Sequence, residues 1–227
     1  MNIPPFLKQT VLFGDLEPAE LEAIAAITRK RNVPKGSIVF YVEDPGNACY
    51  IVVDGKVKIV VNSGDGREHI LGIVGPAELF GEMSLLDGQP RSATAIAVEE
   101  TSVLTIQREE FSKILRDLPN IPLKLLTVLS RRLRSTDAHV ESLAFLSAPG
   151  RVARLLIELA REDGTVSPEG KPTFSTRMTR QEMANLTGTS RETFTRVLMD
   201  YQDRGLVSID RNQFTLMNEG KLKELVV

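Results

Sequence analysis

Residues 80–93 read FGEMSLLDGQPRSA, with a carboxylate, Glu82, set among small and apolar residues and a guanidinium, Arg91, nine positions later. Between them lie a short apolar run and the turn-like Asp87-Gly88-Gln89-Pro90. The run MSLL, starting at Met83, can form a short helical turn after Gly81, and the free N–H groups of such a turn point at an anion. Arg91 adds a full positive charge and a two-pronged donor for phosphate oxygens, and Ser92 adds a hydroxyl. Glu82 would repel a phosphate unless it accepts from a donor beside it, and the 2′-hydroxyl of a sugar is such a donor. An anion cradle next to a hydroxyl acceptor fits a cyclic nucleotide. The plainer reading of the same residues is a surface salt bridge between Glu82 and Arg91.

A second set lies in MTRQEMANLTGTSRETFTRVLMDYQDRGLVSID. Thr179 followed by Glu182 is a capping box that opens one helix, Gly188 supplies a turn, and Ser190 caps a second helix. At about 100° per residue, Phe194, Val197, Leu198 and Tyr201 share one face of that second helix. Arg191, Glu192, Thr195, Arg196 and Met199 occupy the other. From Arg177 to Arg196 four arginines stand against Glu182 and Glu192, a net of +2. Arginine forks match the O6 and N7 acceptors of guanine, and a carboxylate accepts from cytosine N4. Thr179, Arg180, Gln181, Ser190 and Thr193 stand where side chains hold phosphates and fix a helix in the groove. A two-stranded wing, LVSID and FTLMN joined by RNQ, completes a winged helix-turn-helix.

These groups need elements to hold them. As far as about residue 108 the chain is rich in β-branched runs divided by Gly, Pro and Asp, which predicts an antiparallel jelly roll or barrel. Asp54-Gly55 and Gly64-Asp65-Gly66 read as hairpin turns, and PAELEAIAAITRK ahead of the strands reads as a helix. A long helix is expected from Pro122 to about Leu146, with apolar residues at 126, 129, 133, 140 and 143 and Thr136 in the gap. That spacing of threes and fours is the seam of a two-stranded coiled coil, although the stripe would also serve to pack on the chain's own β domain. Ser147-Ala148-Pro149-Gly150 reads as a hinge into a further helix, APGRVARLLIELARE, and EDGTVSPEGKP as a loop or short hairpin.

Composition narrows the function classes. The 227 residues suffice for one large domain or, more commonly, two modest ones, and at 42% hydrophobic and 26% charged they have the balance of a soluble globular protein. One cysteine, Cys49, excludes a four-cysteine cluster, and with only His69 and His139 besides, no metal site is expected. The start MNIPPFLKQT has no charged leader and apolar core, and no run approaches the roughly 18 apolar residues of a membrane span, so a cytoplasmic protein without membrane contact is expected. There is no GxxxxGK[ST] loop and no nucleophile elbow, which argues against an enzyme. The net charge of −2 leaves any nucleic-acid reading to rest on local placement.

The chain resembles the cyclic-AMP receptor protein / fumarate-nitrate reductase regulator (catabolite activator) family over nearly its whole length. FGEMSLLDGQPRSA, RRLRSTDAHVESLAFL and TRQEMANLTGTSRETFTRVL carry the resemblance. It implies an α+β chain: a cyclic-nucleotide-binding β-roll over 1–118, a dimerisation helix and hinge over 119–147, and a winged helix-turn-helix over 148–227. It implies ligand contacts from Gly81, Glu82, Met83, Arg91 and Ser92, with Thr136 against an adenine amino group. The residue after that threonine reaches the nucleotide of the partner subunit and is usually a small hydroxyl or amide residue, whereas here it is Asp137. A carboxylate accepts from the adenine amino group, and it also takes the N1 and N2 hydrogens of guanine as a pair. Cyclic AMP is the effector expected, with cyclic GMP, another signal or a ligand-independent regulator as alternatives. Arg191, Glu192 and Arg196 correspond to the base-reading residues of a homodimer on inverted TGTGA-like half-sites, acting with RNA polymerase. The docking of such helices in the major groove of DNA is a property of the catabolite activator itself and comes with the resemblance.

Overall fold

In the computed structural model, which describes residues 2–162 and 164–226, the chain divides into two compact units, the first running to Arg134 and the second beginning at Ser135. The first opens with α1 (Ile3–Leu7) and α2 (Pro18–Ile27), then strands β1 (Arg29–Val33), β2 (Ile38–Phe40), β3 (Ala48–Asp54), β4 (Val57–Asn62), β5 (Glu68–Val74) and β6 (Leu79–Phe80). After α3 (Met83–Asp87) come β7 (Thr94–Ala97) and β8 (Thr101–Gln107), then α4 (Arg108–Asp117) and the long α5 (Asn120–Phe145). The strands form two antiparallel sheets, in order β1-β8-β3-β6 and β2-β7-β4-β5.

Strand β3 shows why the roll is covered on both sides. Its alternate residues Ala48, Tyr50 and Val52 join Val57, Phe80 and Val103 in the core between the sheets. Cys49 and Ile51, pointing the other way, pack with Phe13, Leu104, Phe111 and Ile121 of a second core. A strand apolar on both faces is stable only when both are covered. At the opposite extreme, β1 is an edge strand whose first four residues, Arg29 to Asn32, are exposed. Charge on an edge discourages pairing with another chain.

Three local readings change. The α2 helix ends at Ile27 rather than running through Lys30, because Thr28 turns extended and its hydroxyl donates to the Ala25 carbonyl at 2.9 Å, freeing the charged residues for β1. Asp54-Gly55 is not a hairpin: β3 and β4 lie in different sheets, and Gly55 (φ +84°) carries the chain across. A side chain on Gly55 would lie 2.5 Å from the Glu100 carbonyl, so the crossing admits only glycine. Gly64-Asp65-Gly66 does close the β4–β5 hairpin. Helix α5 begins two residues before Pro122, which sits in its first turn where a missing N–H is harmless. Leu129 packs on the first unit's core, but Leu126 and Leu133 are exposed, so the stripe does not pack on the chain's own β domain there; Val140 and Leu143 are exposed as well.

The second unit continues with α6 (Ala148–Glu162), β9 (Thr165–Val166), β10 (Pro172–Ser175), α7 (Arg180–Leu186), α8 (Arg191–Asp203), β11 (Val207–Asp210), β12 (Gln213–Leu216) and α9 (Glu219–Glu224). The expected two-stranded wing is half of a four-stranded sheet, β11-β12-β10-β9, because the segment read as a loop or short hairpin (Asp163 lies outside the described residues) takes the hairpin form: it carries β9 and turns into β10, which begins at its last residue, Pro172. Phe174 of β10 and Phe214 of β12 stack at 5.0 Å and pack with Leu156, Met183, Phe194 and Tyr201. Arg151 of α6 donates to the Leu146 carbonyl at 2.8 Å and to the Thr187 carbonyl at 2.7 Å, tying the end of α5 to the turn between α7 and α8. Tyr201, whose phenol burial pushes up to about 12, stays protonated and donates to the Pro149 carbonyl at 2.7 Å. Tyr201→Phe is expected to lower the stability of this unit by about 0.5–1.5 kcal/mol in urea unfolding followed by far-UV circular dichroism. An unchanged midpoint would show that this hydrogen bond contributes nothing.

Candidate functional site

The segment from Leu79 to Leu85 is held by arginines bonded to its carbonyl oxygens. Arg91 donates from Nη1 to the Gly81 carbonyl and from Nη2 to the Ala48 carbonyl. Arg108, at the start of α4, donates from Nη2 to the Gly46 carbonyl at 2.6 Å and to the Ser84 carbonyl at 2.9 Å, and from Nη1 to the Leu85 carbonyl at 3.4 Å. Arg132, on α5, donates to the Leu79 carbonyl and pairs with Glu82 Oε1 at 2.7 Å. With Asp44 also acting on Arg91, three cations here stand against two carboxylates, a local surplus of one positive charge. Close packing fixes the geometry. Gly81 has φ +74°, and a Cβ there would stand 2.9 Å from Arg91 Nη1; one on Gly46 would stand 2.1 Å from Ser84 Cβ.

The sequence places Glu82 and Arg91 together, and both are buried, at 1% and 3% exposure, but they do not form a salt bridge with each other. Among the described residues no carboxylate pairs with Arg91; its guanidinium lies over the Phe40 ring, 4.2 Å from the centroid. Burial holds Arg91 below its ordinary pKa. Two atoms here are buried without a hydrogen-bond partner: Glu82 Oε2, an acceptor, and Arg91 Nε, a donor. A buried charge lacking a counter-charge is unfavourable, and a bound anion relieves it. Met83 and Ser92 are exposed, and α3 forms as expected, closed by Gly88 at φ +74°. Thr136 and Asp137 are exposed on α5, in the second unit. Among the described residues no group of three or more His, Cys, Asp or Glu side chains is placed to hold a metal, and no helix is long and apolar enough to cross a membrane.

In the second unit the capping box forms as read: Thr179 accepts from the Glu182 N–H, and Glu182 accepts from the Thr179 N–H. Ser190 accepts from the Thr193 N–H at 3.1 Å and so starts α8. Phe194, Val197, Leu198 and Tyr201 are buried, which leaves Arg191, Glu192, Arg196 and Met199 on the outer face. The Glu192 carboxyl is held below the usual carboxylate range by its own backbone N–H and by the Ser190 hydroxyl. Arg180 differs from the other arginines: it lies over the Phe214 ring at 4.8 Å and is half-buried. Gln181 donates to Asn185 at 2.8 Å. A rigid helix with a polar, partly cationic outer face, seated on an apolar inner one, is what entry into a DNA groove requires.

Residues 30–117 match the cyclic nucleotide-binding domain, and residues 150–225 match the Crp-like helix-turn-helix domain. The CRP-like cAMP-activated global transcriptional regulator of Mycobacterium tuberculosis is 35% identical over 216 residues, 95% of this chain and 96% of that protein. The cyclic AMP receptor protein of Thermus thermophilus is 38% identical over 219 residues, 96% of this chain and 98% of that one. The chain belongs to the Crp/Fnr family. It is therefore a CRP-like transcriptional regulator with a cyclic nucleotide-binding domain and a DNA-binding helix-turn-helix, in a family that is not enzymatic. Among solved structures it is also similar to the c-di-GMP-responsive global regulator CLP of Xanthomonas campestris, with a TM-score of 0.78, 31% identity, and coverage of 89% of this chain and 100% of that one.

For this Crp/Fnr member the sequence reading omits two arginines of the cradle. Arg132 precedes Thr136 by one helical turn and so shares its face of α5, a signal present in the spacing. Arg108 gives no such signal, since nothing in QREEF distinguishes it from a surface arginine at a helix start. Cys49 lies in the same neighbourhood, fully buried, and burial together with the nearby Glu82 pushes its thiol far above its ordinary value. At pH 8 the folded protein is expected to resist iodoacetamide, while protein unfolded in urea is alkylated at the rate of a free thiol. Equal rates in the two states would show that the cover over this face of β3, which includes Phe13, Phe111 and Ile121, opens readily.

Proposed function

We propose that the chain is a homodimeric, ligand-gated transcription factor of the cytoplasm whose effector is cyclic AMP. The observation that carries the reading is the buried Arg91 without an acidic partner, beside a Glu82 with one unpartnered oxygen. The cyclic phosphate takes Arg91, the Ser92 hydroxyl and the backbone at Gly81 and Met83, replacing neutral carbonyl partners with a charge-assisted pair. The ribose 2′-hydroxyl donates to Glu82 Oε2, while Oε1 keeps Arg132. Thr136 and Asp137 meet the base. The names of the Mycobacterium tuberculosis and Thermus thermophilus relatives support cyclic AMP. Cyclic GMP is the second reading, favoured by the carboxylate of Asp137, which matches the N1–H and N2–H pair of guanine. The similar regulator from Xanthomonas campestris responds to a guanine-containing ligand, which supports it.

The exposed stripe of Leu126, Leu133, Val140 and Leu143 supports dimerisation through α5, since an apolar seam at this spacing is buried by a second helix. Settling the base against α5 shifts that seam and brings the two α8 helices into register with inverted TGTGA-like half-sites, where the bound dimer meets RNA polymerase. The ligand acts only if it prefers that arrangement, because equal affinity for both states shifts nothing. Arg191, Glu192 and Arg196 read bases, and Thr179, Arg180, Gln181, Ser190 and Thr193 hold the backbone of the duplex. The division into an effector domain over 1–118, a helix and hinge over 119–147 and a DNA-binding domain over 148–227 belongs to the same reading.

Calorimetric titration of the purified protein with cyclic AMP, matched against cyclic GMP, tests the cradle. Saturable binding of cyclic AMP, lost in Arg91→Ala, is expected; preference for cyclic GMP makes Asp137 the selectivity residue, and no binding of either removes the nucleotide reading. On DNA, Arg196→Ala is expected to weaken the specific site by about 1–3 kcal/mol and to relax preference at one base pair in competition binding. Uniform weakening on all sequences would mean that Arg196 contacts only phosphate.

A further inference from the structure

The planar guanidinium of Arg91 reaches two different places. Nη1 meets the Gly81 carbonyl, in the cradle, whereas Nη2 meets the Ala48 carbonyl. Nη2 shares with Nε the edge of the guanidinium that grips an oxyanion two-pronged, and Nε has no partner. Ala48 and Arg91 both line a cavity of about 380 Å³ that Glu82, Met83 and Ser92 do not line. Its other polar walls are Arg31, Asp44, Asn47, Thr105 and Gln107.

The register explains how Arg31 comes to face this space. Arg31 stands opposite Val103, and Thr105 opposite Tyr50, and both Val103 and Tyr50 belong to the core between the sheets. Residues directly opposite in an antiparallel pair share a face, so Arg31 and Thr105 project inward at the open edge of the roll. Among the described residues no acid pairs with Arg31. Asp44, whose Oδ2 accepts from the Tyr41 N–H at 2.8 Å, forms no ion pair with either arginine; its carboxylate offsets one of their two charges and leaves the cavity with a net positive one. Two arginines, one of them 3% exposed, thus line a polar cavity without a paired carboxylate.

We propose that this cavity is a second anion site, separate from the nucleotide cradle, for a small oxyanion carrying a phosphate or carboxylate group. Arg31 attracts the anion from the edge, and Arg91 turns its Nε/Nη2 edge to it, releasing the Ala48 carbonyl. Resting on the proposed nucleotide reading, a second consequence follows: one guanidinium serves both sites, so an anion in the cavity weakens nucleotide binding, and the nucleotide weakens the anion by the same factor.

The test uses the full-length protein at constant ionic strength, with inorganic phosphate or acetate exchanged for chloride so that screening does not change. Arginine Nε–H resonances of ¹⁵N-labelled protein are followed during the titration. A saturable shift of the Arg91 Nε–H signal with either anion, absent in Arg31→Ala, is expected, and the anion that produces it identifies the preferred group. No shift, or a shift unchanged in Arg31→Ala, overturns the site, the latter because the anion then sits in the cradle. Calorimetry with cyclic AMP supplies the linkage: saturating anion is expected to raise the Kd about tenfold in the wild type. Arg31→Ala is expected to lose that effect while keeping the chloride affinity. An unaltered Kd in the wild type overturns the competition. If cyclic AMP fails to bind in chloride, the nucleotide reading falls, while the resonance titration still decides the cavity.

Discussion

The first unit turns on a single arrangement, main-chain carbonyls of residues 79–85 bonded to arginines from three separate elements. Arg91 follows α3, Arg108 opens α4 and Arg132 lies on α5, so one seven-residue segment is fixed against three directions of the fold. Neutral carbonyls satisfy the donors without cancelling the charge, and the positive potential therefore stays in place. Had carboxylates taken these guanidiniums, the cradle would be as rigid but electrostatically silent. Glu82 is the exception: it pairs through one oxygen with Arg132 and leaves the other without a partner. That division lets the carboxylate answer a hydroxyl donor while it remains tied to the long helix.

The tie to α5 gives the proposed gating a physical route. Glu82 is adjacent to the α3 turn, and its partner Arg132 stands one turn before Thr136 on α5. In the proposed reading, a ligand that draws on Glu82 acts on the element that carries the exposed apolar stripe. In the second unit, Arg151 joins the Leu146 carbonyl at the end of that helix to the Thr187 carbonyl ahead of α8, and the Tyr201 hydroxyl joins α8 to Pro149. These are short, directional contacts between elements that are themselves well packed. Such contacts transmit a displacement instead of absorbing it.

How much of this was legible in the sequence depended on whether the deciding contact was local. The capping box at Thr179, the cap at Ser190 and the buried face of α8 involve residues three or four apart, and periodicity reveals them. The α3 turn and its closing Gly88 were legible for the same reason. What the sequence did not show was set by long-range pairing: the sheet change after Asp54 and the union of β9 and β10 with the wing both follow from which strands find one another. The cradle shows the same contrast. Glu82 and Arg91 stand out because their neighbours are small and apolar, and of the two readings they offered the plain salt bridge between them does not form, since Arg132 arrives from fifty residues away and takes the carboxylate.

Burying a cation without an ion-paired acid is an expensive arrangement, and such groups cluster at functional sites. At Arg91 the penalty is moderated by the Phe40 face and two carbonyls, none of which holds the guanidinium as strongly as an oxyanion would. Weak, replaceable partners keep the group in position and exchangeable at once. A strong partner would have to be broken before any ligand could bind, and its free energy would be subtracted from the affinity. The same reasoning accounts for Glu82 Oε2, which stays without a partner although Arg132 is adjacent. Both atoms are orphaned on residues that the surrounding packing holds nearly rigid, so a ligand meets a site whose ordering was already achieved during folding.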